Sequence, residues 1–372
     1  MQNNICIFNN NERVLRRKTL NYIAFIKFWA MLLIIKWHVI PWKKIKIDYG
    51  ARMCEILFVS SGFLVGYNYY KRPLSSTYQS SFKYAYKHLR MFYPLEIINI
   101  IYGIHSYYNK LEIIDIQIIV INVLIMKSWS RYNRIVNRFN GITWFLSSLL
   151  FCYFLTPILL QGIKNIKNSL MIFILFAFIR IALEIIIYKS DLNLLDVNFH
   201  RGPFVRCMEF YLGMLIAPLF YKINNILDKY RNKIWIKGIF TLIQIVLPFG
   251  IYFIMLKYNL NLKRCYFVLI FCLFIFICGF DYGYLSDIFE MKIAKIIMSH
   301  QMEMYLLQKT VNNILLKIMN KVQLKFPPIL EFEYYVKLLI IYIFAFIYKK
   351  WMKENLAKIL DIVVILIKKI FQ

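Results

Sequence analysis

Long apolar blocks, separated by short basic stretches, organise this chain. The run from Phe267 to Phe280 carries no charge, and neither does the run from Leu338 to Tyr348. Neither shows the alternation that a membrane β-strand would need. A helix crosses a bilayer with about 20 mostly apolar residues, and it satisfies its own backbone while doing so. The pattern predicts about ten such helices, over residues 20–41, 52–70, 89–108, 142–163, 169–188, 203–221, 234–256, 265–285, 296–316 and 333–349. The expected fold is therefore all-α, a polytopic integral membrane protein with about 10 transmembrane helices.

Two further stretches are amphipathic. Ile113 to Met126 is apolar but short, and Asp115, Gln117 and Asn122 interrupt it. It reads as an interfacial or partly inserted helix. Leu356 to Ile370 carries Lys358, Lys368 and Lys369, and it reads as a helix lying on the membrane surface. The expected organisation is a cytoplasmic segment over 1–19, a transmembrane domain over 20–350 and an amphipathic cytoplasmic tail over 351–372. No repeat, Gly/Ser linker or soluble domain is visible. The polar, basic N-terminal stretch runs into a full-length span without a small-residue cleavage site, unlike a signal peptide.

Composition agrees with this reading. Hydrophobic residues make up 60% of the 372 residues and the mean hydropathy is +0.55, whereas soluble domains run at about 45–50% apolar. The net charge of +28 raises nucleic acid as a partner. The basic residues, however, sit between the apolar blocks, where topology signals sit, so no nucleic acid is expected. The greater share of Lys and Arg falls on segments that place both termini in the cytoplasm. If Ile113–Met126 also spans, everything after it inverts. Cysteines are scattered, with Cys152, Cys272 and Cys278 inside apolar runs. Without a CxxC pair or a His/Cys cluster, neither disulfides nor a metal site is indicated.

The first span carries the most chemistry. Lys27 and His38 are eleven residues apart. On a helix they return to within roughly 20° of one face, about 16 Å along the axis. Ionisable groups inside a span are costly and are functional candidates by default. A structural alternative is that Lys27 snorkels and His38 is interfacial.

Further segments agree with a functional reading, in order. They are Leu57–Phe63, containing Ser60, Ser61 and Gly62; His88–Pro94, ending in Tyr93 and Pro94; Asn140–Ser147 around Trp144, continuing to Tyr153 and Pro157; Pro203–Met214 with Arg206, Glu209 and Gly213; and Gln301–Gln308 with Tyr305. Together with the Lys27–His38 spacing they resemble, in register from residue 21 to about 310, the acyltransferase 3 family of membrane O-acyltransferases. The chain departs from that pattern in places. Ala24 stands where an acid is usual, Lys27 where Arg is usual, Met91 where an Arg is usual, with Arg90 beside it, Leu149 where a Glu is common and Gln308 where a His is usual. The Trp-containing segment looks like that of members acting on polysaccharides.

The resemblance implies an enzyme that takes an acyl group, usually acetyl, from acyl-CoA and delivers it to a hydroxyl of a surface carbohydrate or lipid-linked saccharide at the cell membrane. Acetyl-CoA or another acyl-CoA is the expected donor, and membrane lipid the surroundings. His38 is the candidate base or acyl carrier, since a hydroxyl needs a general base with a pKa near neutrality. Lys27 is assigned to the same catalytic stripe. CoA is anionic, so Lys27, Lys87 and Arg90 are the candidate donor-binding cations, with His88 beside them. Lys offers a point charge where Arg would offer a fork.

Other residues leave alternatives open. Arg206 and Glu209 are i, i+3 and can pair, either to line the acyl pathway or to fix a helix. Lys36 points away from the His38 stripe. Ser61 as a nucleophile lacks a nearby His/Asp pattern. Trp144 and Tyr153 read as packing or interface residues before substrate stackers. Glu303 and Tyr305 are about 200° apart on a helix and cannot line one site together. Two other function classes compete. A transporter or flippase of a lipid-linked precursor would show broken spans in repeated halves, which are absent. A non-catalytic scaffold would have no reason to align Lys27 with His38.

Overall fold

The computed structural model describes residues 20–39, 49–71, 74–108, 112–163, 165–189, 200–257, 267–322 and 330–370. The basic stretch Arg13–Lys18, expected in the cytoplasm, lies outside the described residues. All described regular structure is helical. The helices are α1 (Asn21–Val39), α2 (Tyr49–Tyr69), α3 (Tyr78–Leu89), α4 (Tyr93–Tyr107), α5 (Ile113–Val123), α6 (Asn133–Asn137), α7 (Trp144–Gln161) and α8 (Ile166–Lys189). They continue as α9 (Pro203–Leu215), α10 (Ala217–Leu227), α11 (Ile234–Lys257), α12 (Phe267–Cys278), α13 (Tyr284–Glu290), α14 (Lys292–Met298), α15 (Gln301–Val322), α16 (Leu330–Ile347) and α17 (Lys353–Ile370).

Among the described residues five stretches are long and apolar enough to cross a membrane: Asn21–Val39, Gly141–Gln161, Ile166–Ile186, Pro203–Tyr230 and Ile234–Met255. The other predicted spans are helical but depart from that standard for physical reasons. α2 carries Arg52 and Glu55, α4 carries Glu96, and α15 carries Glu303. α12 is a purely apolar helix of 12 residues, short of the roughly 20 that a bilayer takes. Predicted boundaries also move at prolines. The 89–108 span becomes α4, which starts at Tyr93 with Pro94 in its first turn, after α3 ends at Leu89. The 203–221 span divides at Ile216, with Pro218 in the first turn of α10. Pro fixes φ and lacks an N–H, so it starts helices more readily than it continues them.

The bundle centres on α2, which packs against α1, α9 and α12. Two glycines let α2 and α9 touch backbone to backbone. A Cβ on Gly62 would lie 1.7 Å from the Phe210 carbonyl oxygen, and one on Gly213 would lie 2.0 Å from the Val59 carbonyl oxygen. Helices in lipid gain little from hydrophobic burial against each other, so close approach at small residues supplies the packing. The glycines of the second and sixth predicted spans therefore face one another.

α8 and α11 are the outer helices. Most of their apolar side chains are exposed, among them Ile174, Phe178, Val246 and Phe253. Buried polar residues turn inward from both, Ser169 and Arg180 on α8 and Gln244 on α11. α1 is held at both ends. The Asp281 carboxylate accepts from the amides of Asn21 at 2.9 Å and Tyr22 at 3.0 Å, an anion placed on the positive end of the helix. Near the other end, the Tyr334 hydroxyl donates to the Leu32 carbonyl at 3.2 Å.

Between α4 and α7 the chain forms a hairpin rather than a span. α5 has only 11 residues; the chain then turns through Lys127–Trp129, α6 and Gly141–Thr143 before entering α7. Arg138 closes the hairpin on Asp115, Nε to Oδ1 at 2.8 Å and Nη2 to Oδ2 at 2.6 Å, a bidentate pair. Burial pushes the Asp115 carboxyl up, but the Arg138 guanidinium outweighs this and holds it below the usual carboxylate range. Phe139 packs on Gly103 of α4, where a Cβ would meet the Phe139 Cβ at 2.7 Å.

Candidate active site

His38 stands in the last turn of α1. Its ring keeps an exposed surface although protein surrounds it closely on most sides, which places it in a recess rather than on an outer face. The Trp37 ring meets it edge-on at 4.7 Å. Two cations from distant parts of the chain, Arg201 and Lys309, act electrostatically on His38.

Lys27 lies three turns back along α1. Its Nζ donates to Ser61 Oγ at 3.0 Å, which joins the basic residue of the first span to the Ser-Gly pair of the second. Ser61 is thus a partner of Lys27, and no nucleophile arrangement forms around it. Lys36 points elsewhere, with its Nζ 5.7 Å from the Tyr334 ring centroid.

The predicted Arg206–Glu209 pair forms, at 2.5 Å, inside a larger buried network. Arg180 of α8 bonds Glu209 at 3.1 Å and Glu184 at 2.6 Å. Arg52 bonds Glu55 at 2.6 Å, and Glu55 lies 4.0 Å from Arg206. Three arginines thus face three glutamates, a neutral set in which each buried charge has an opposite partner, as a low-dielectric interior demands. Arg206 also holds the turn ahead of α9. Its Nε donates to the His200 carbonyl and its Nη2 meets His200 Nδ1, each at 2.6 Å. The Trp144 ring lies 5.1 Å from His200, edge-on, and 5.8 Å from the Arg206 guanidinium. Trp144 is buried packing around that turn.

Below His38 the hairpin contributes Lys127, which is buried. Its Nζ donates to the carbonyls of Asn140 at 2.7 Å and Arg138 at 3.1 Å, and to Thr143 Oγ at 3.3 Å, and the Glu96 carboxylate supplies its countercharge. Amides of Asn99 and Asn140 both donate to the Leu306 carbonyl, at 3.2 Å and 3.1 Å. The hairpin is thereby tied to α15. Tyr305 and Glu303 diverge as their spacing requires: the Tyr305 hydroxyl donates to the Ile142 carbonyl at 3.2 Å, and Glu303 accepts from Lys353 at 2.5 Å.

The predicted donor cations on α3 have other surroundings. Arg90 pairs with Asp361 of the C-terminal helix at 2.9 Å, and Tyr86 donates to the same carboxylate at 2.6 Å. Lys87 is exposed. The His88 ring sits between Tyr84 and Tyr153, 4.5 Å from each. Among the described residues no three His, Cys, Asp or Glu side chains gather as metal ligands do.

Reading the sequence missed Glu55, Glu96, Lys127, Arg180, Arg201 and Lys309. For Arg180 the signal was present, since a charge in the middle of an apolar span is a functional or pairing candidate. Glu55, Glu96 and Lys309 also fall inside predicted spans, Lys127 and Arg201 fall in connecting stretches, and only the tertiary fold shows their partners.

A family model described as an acyltransferase domain matches residues 20–348. The chain belongs to the acyltransferase 3 family. It is therefore an acyltransferase, and its apolar helices make it a membrane protein. No curated protein and no solved structure matches the chain. Within this acyltransferase, segments that are distant in sequence meet: a Cβ on Gly50 of α2 would touch the Trp37 ring of α1, the Asn140–Thr143 turn bonds α15, and Arg201 and Lys309 act electrostatically on His38.

Proposed function

We propose that this acyltransferase moves an acyl group, in the first instance acetyl, from acyl-CoA to a hydroxyl of a cell-surface glycan or lipid-linked saccharide, in the cell membrane, which it spans several times. The observation that carries the reading is the placement of His38. It is a recessed imidazole at the end of α1 with open surface, and Lys27 lies on the same helix, fixed by Ser61.

Imidazole is the side chain whose ordinary pKa lies nearest neutrality, which suits it to take a proton from an alcohol. In the reaction, His38 removes the acceptor hydroxyl proton as the oxygen attacks the thioester carbonyl carbon. The carbon–sulfur bond breaks, and the CoA sulfur leaves with the electron pair and takes the proton back from the imidazolium. The pantetheine arm would lie along the α1 stripe past Lys27, and the CoA phosphates near Lys27, Lys87 and Arg90. Arg90 would then exchange Asp361 for phosphate.

The test is direct. The full-length protein in lipid nanodiscs is given acetyl-CoA labelled in the acetyl group together with a membrane glycan extract. Label should appear on glycan as an alkali-labile ester, with free CoA released in equal amount. Absence of both acetyl transfer and acetyl-CoA consumption by well-folded protein would refute the reading.

A further inference from the structure

Two cations within electrostatic reach of His38 have no role in donor binding as proposed above. Arg201 sits just ahead of α9; its carbonyl accepts from Ser148 Oγ at 2.9 Å, and its Nη1 donates to Asn133 Oδ1 at 3.3 Å. Lys309 projects from α15, and its Nζ donates to the Asn137 carbonyl at 3.2 Å. Asn133 and Asn137 are the two ends of α6, so one short helix spaces both cations.

Among the described residues no carboxylate bonds either of them. Among the described residues, every hydrogen-bond acceptor of Arg201 and Lys309 is a neutral oxygen, unlike the neighbouring arginines 52, 138, 180 and 206, each of which holds a carboxylate. The two cations act on each other, on His38 and on Lys127. Glu96 acts on Lys127 with the opposite sign, so among the described residues Arg201 and Lys309 are the cations near His38 without a carboxylate of their own. Like charges held together in a half-buried recess repel, and a recess of one sign concentrates ions of the other.

The scaffold that holds them is under strain. Ile125 and Phe139, which flank Lys127 and Asn140, have φ of 54° and 57°. Left-handed backbone at bulky residues costs on the order of 1–3 kcal/mol each and gathers at functional sites. Both side chains are buried, and packing keeps them there.

We infer that Arg201 and Lys309 form a subsite for an anionic group on the acyl acceptor, a carboxylate of an acidic sugar or the phosphate of a lipid-linked saccharide, and so set a nearby hydroxyl against His38. This rests on His38 being the place of acyl transfer. Guanidinium offers a fork and ammonium a point charge, and together they suit either anion. The donor is the poorer fit. The phosphates of CoA are separated from the thioester by the whole pantetheine arm, whereas Arg201 and Lys309 lie over the two ends of α6 within electrostatic reach of His38.

The experiment measures binding, so it does not depend on turnover. Nanodisc-embedded wild type, Arg201→Gln and Lys309→Gln are titrated with three probes: a trigalacturonate, the same trisaccharide with its carboxyls reduced to alcohols, and a polyprenyl-phosphate-linked disaccharide. Acetyl-CoA binding is measured on the same samples. At least one anionic probe should bind wild type, the reduced trisaccharide should not, and each substitution should weaken the anionic probe about tenfold or more with acetyl-CoA affinity kept. Whichever anionic probe binds identifies the source of the charge. Failure of both anionic probes, equal binding of the reduced one, or a loss of acetyl-CoA affinity in place of probe affinity would overturn the subsite. Wild type that binds acetyl-CoA while failing the probes would sink the subsite alone; wild type that binds no acetyl-CoA would count against the acyl-transfer reading itself.

Discussion

Lys27 of α1 donates a hydrogen bond to Ser61 of α2 at 3.0 Å, and this contact links the basic residue of the His38 stripe to the segment that packs α2 on α9. Lys27→Met removes the charge and keeps the length of the side chain. It should raise the acyl-CoA concentration needed for half-maximal rate, while expression stays near wild type. Ser61→Ala should do less, since Lys27 keeps its charge; a hydrogen bond to a charged group is worth about 1.5–3 kcal/mol. Steady-state kinetics at varied acyl-CoA check both. An unchanged donor requirement in Lys27→Met would remove Lys27 from the donor path.

Gly62 and Gly213 should be intolerant of any side chain. A Cβ at either would overlap a carbonyl oxygen of the facing helix, at 1.7 Å and 2.0 Å, and backbone cannot move aside as a side-chain tip can. Gly62→Ala and Gly213→Ala should therefore lower thermal stability in detergent sharply or abolish folded yield. Gly238 and Gly250 of α11 have nothing within 4 Å of an added Cβ. Alanine there should be neutral or stabilising by about 0.5–1 kcal/mol, because Gly in a helix interior is entropically costly. Melting curves of the four variants test the contrast, and equal effects at all four would contradict the α2–α9 contact.

The network of Arg52, Glu55, Arg180, Glu184, Arg206 and Glu209 should show strong coupling. Removing one member leaves an opposite charge buried without its partner, which costs about 3–5 kcal/mol. Arg180→Leu and Glu209→Leu should each destabilise. The double variant should be less destabilised than the sum of the two, because the broken pair is then removed as a unit. Additive losses in a double-mutant cycle would show that the pair at 3.1 Å carries no coupling.

Topology follows from the charge distribution. Reporter fusions after Lys18 and after Lys353 should both score cytoplasmic, because the Lys and Arg excess lies on that side and because α5 is an 11-residue arm of a hairpin rather than a span. Opposite locations for the two reporters would mean an odd number of crossings.

How much of this was legible in the sequence varies with the kind of information. The apolar periodicity gave the helices, because each is a local property of its own residues. Boundaries moved where Pro94 and Pro218 start new helices, since the apolar pattern continues through a break that only backbone geometry imposes. The pairing of Arg206 with Glu209 was readable because it is i, i+3. Its extension to Arg180, Glu55 and Arg52 was not, because those lie on other helices. Lys127 and Arg201 sit in or beside connecting segments and look like topology signals in one dimension, while Lys309 lies inside α15, where nothing in its own helix points to Arg201. The hairpin brings Lys127 near Arg201 and Lys309, and its turns at Ile125 and Phe139 carry no glycine to announce them. Arg90 caps α3 rather than opening the 89–108 span, and its partner Asp361 belongs to the tail, from which no local pattern points back.

The most direct measurement of the central claim is the rate of acyl transfer by His38→Ala. General acid–base catalysis typically contributes about 10²–10⁴-fold, so purified His38→Ala in nanodiscs, with wild-type melting behaviour, should lose transfer to acceptor by at least about a hundredfold. His38→Gln, which keeps hydrogen bonding but cannot carry the proton, should be nearly as inactive. Folded His38→Ala protein that acylates acceptor at the wild-type rate would contradict the account.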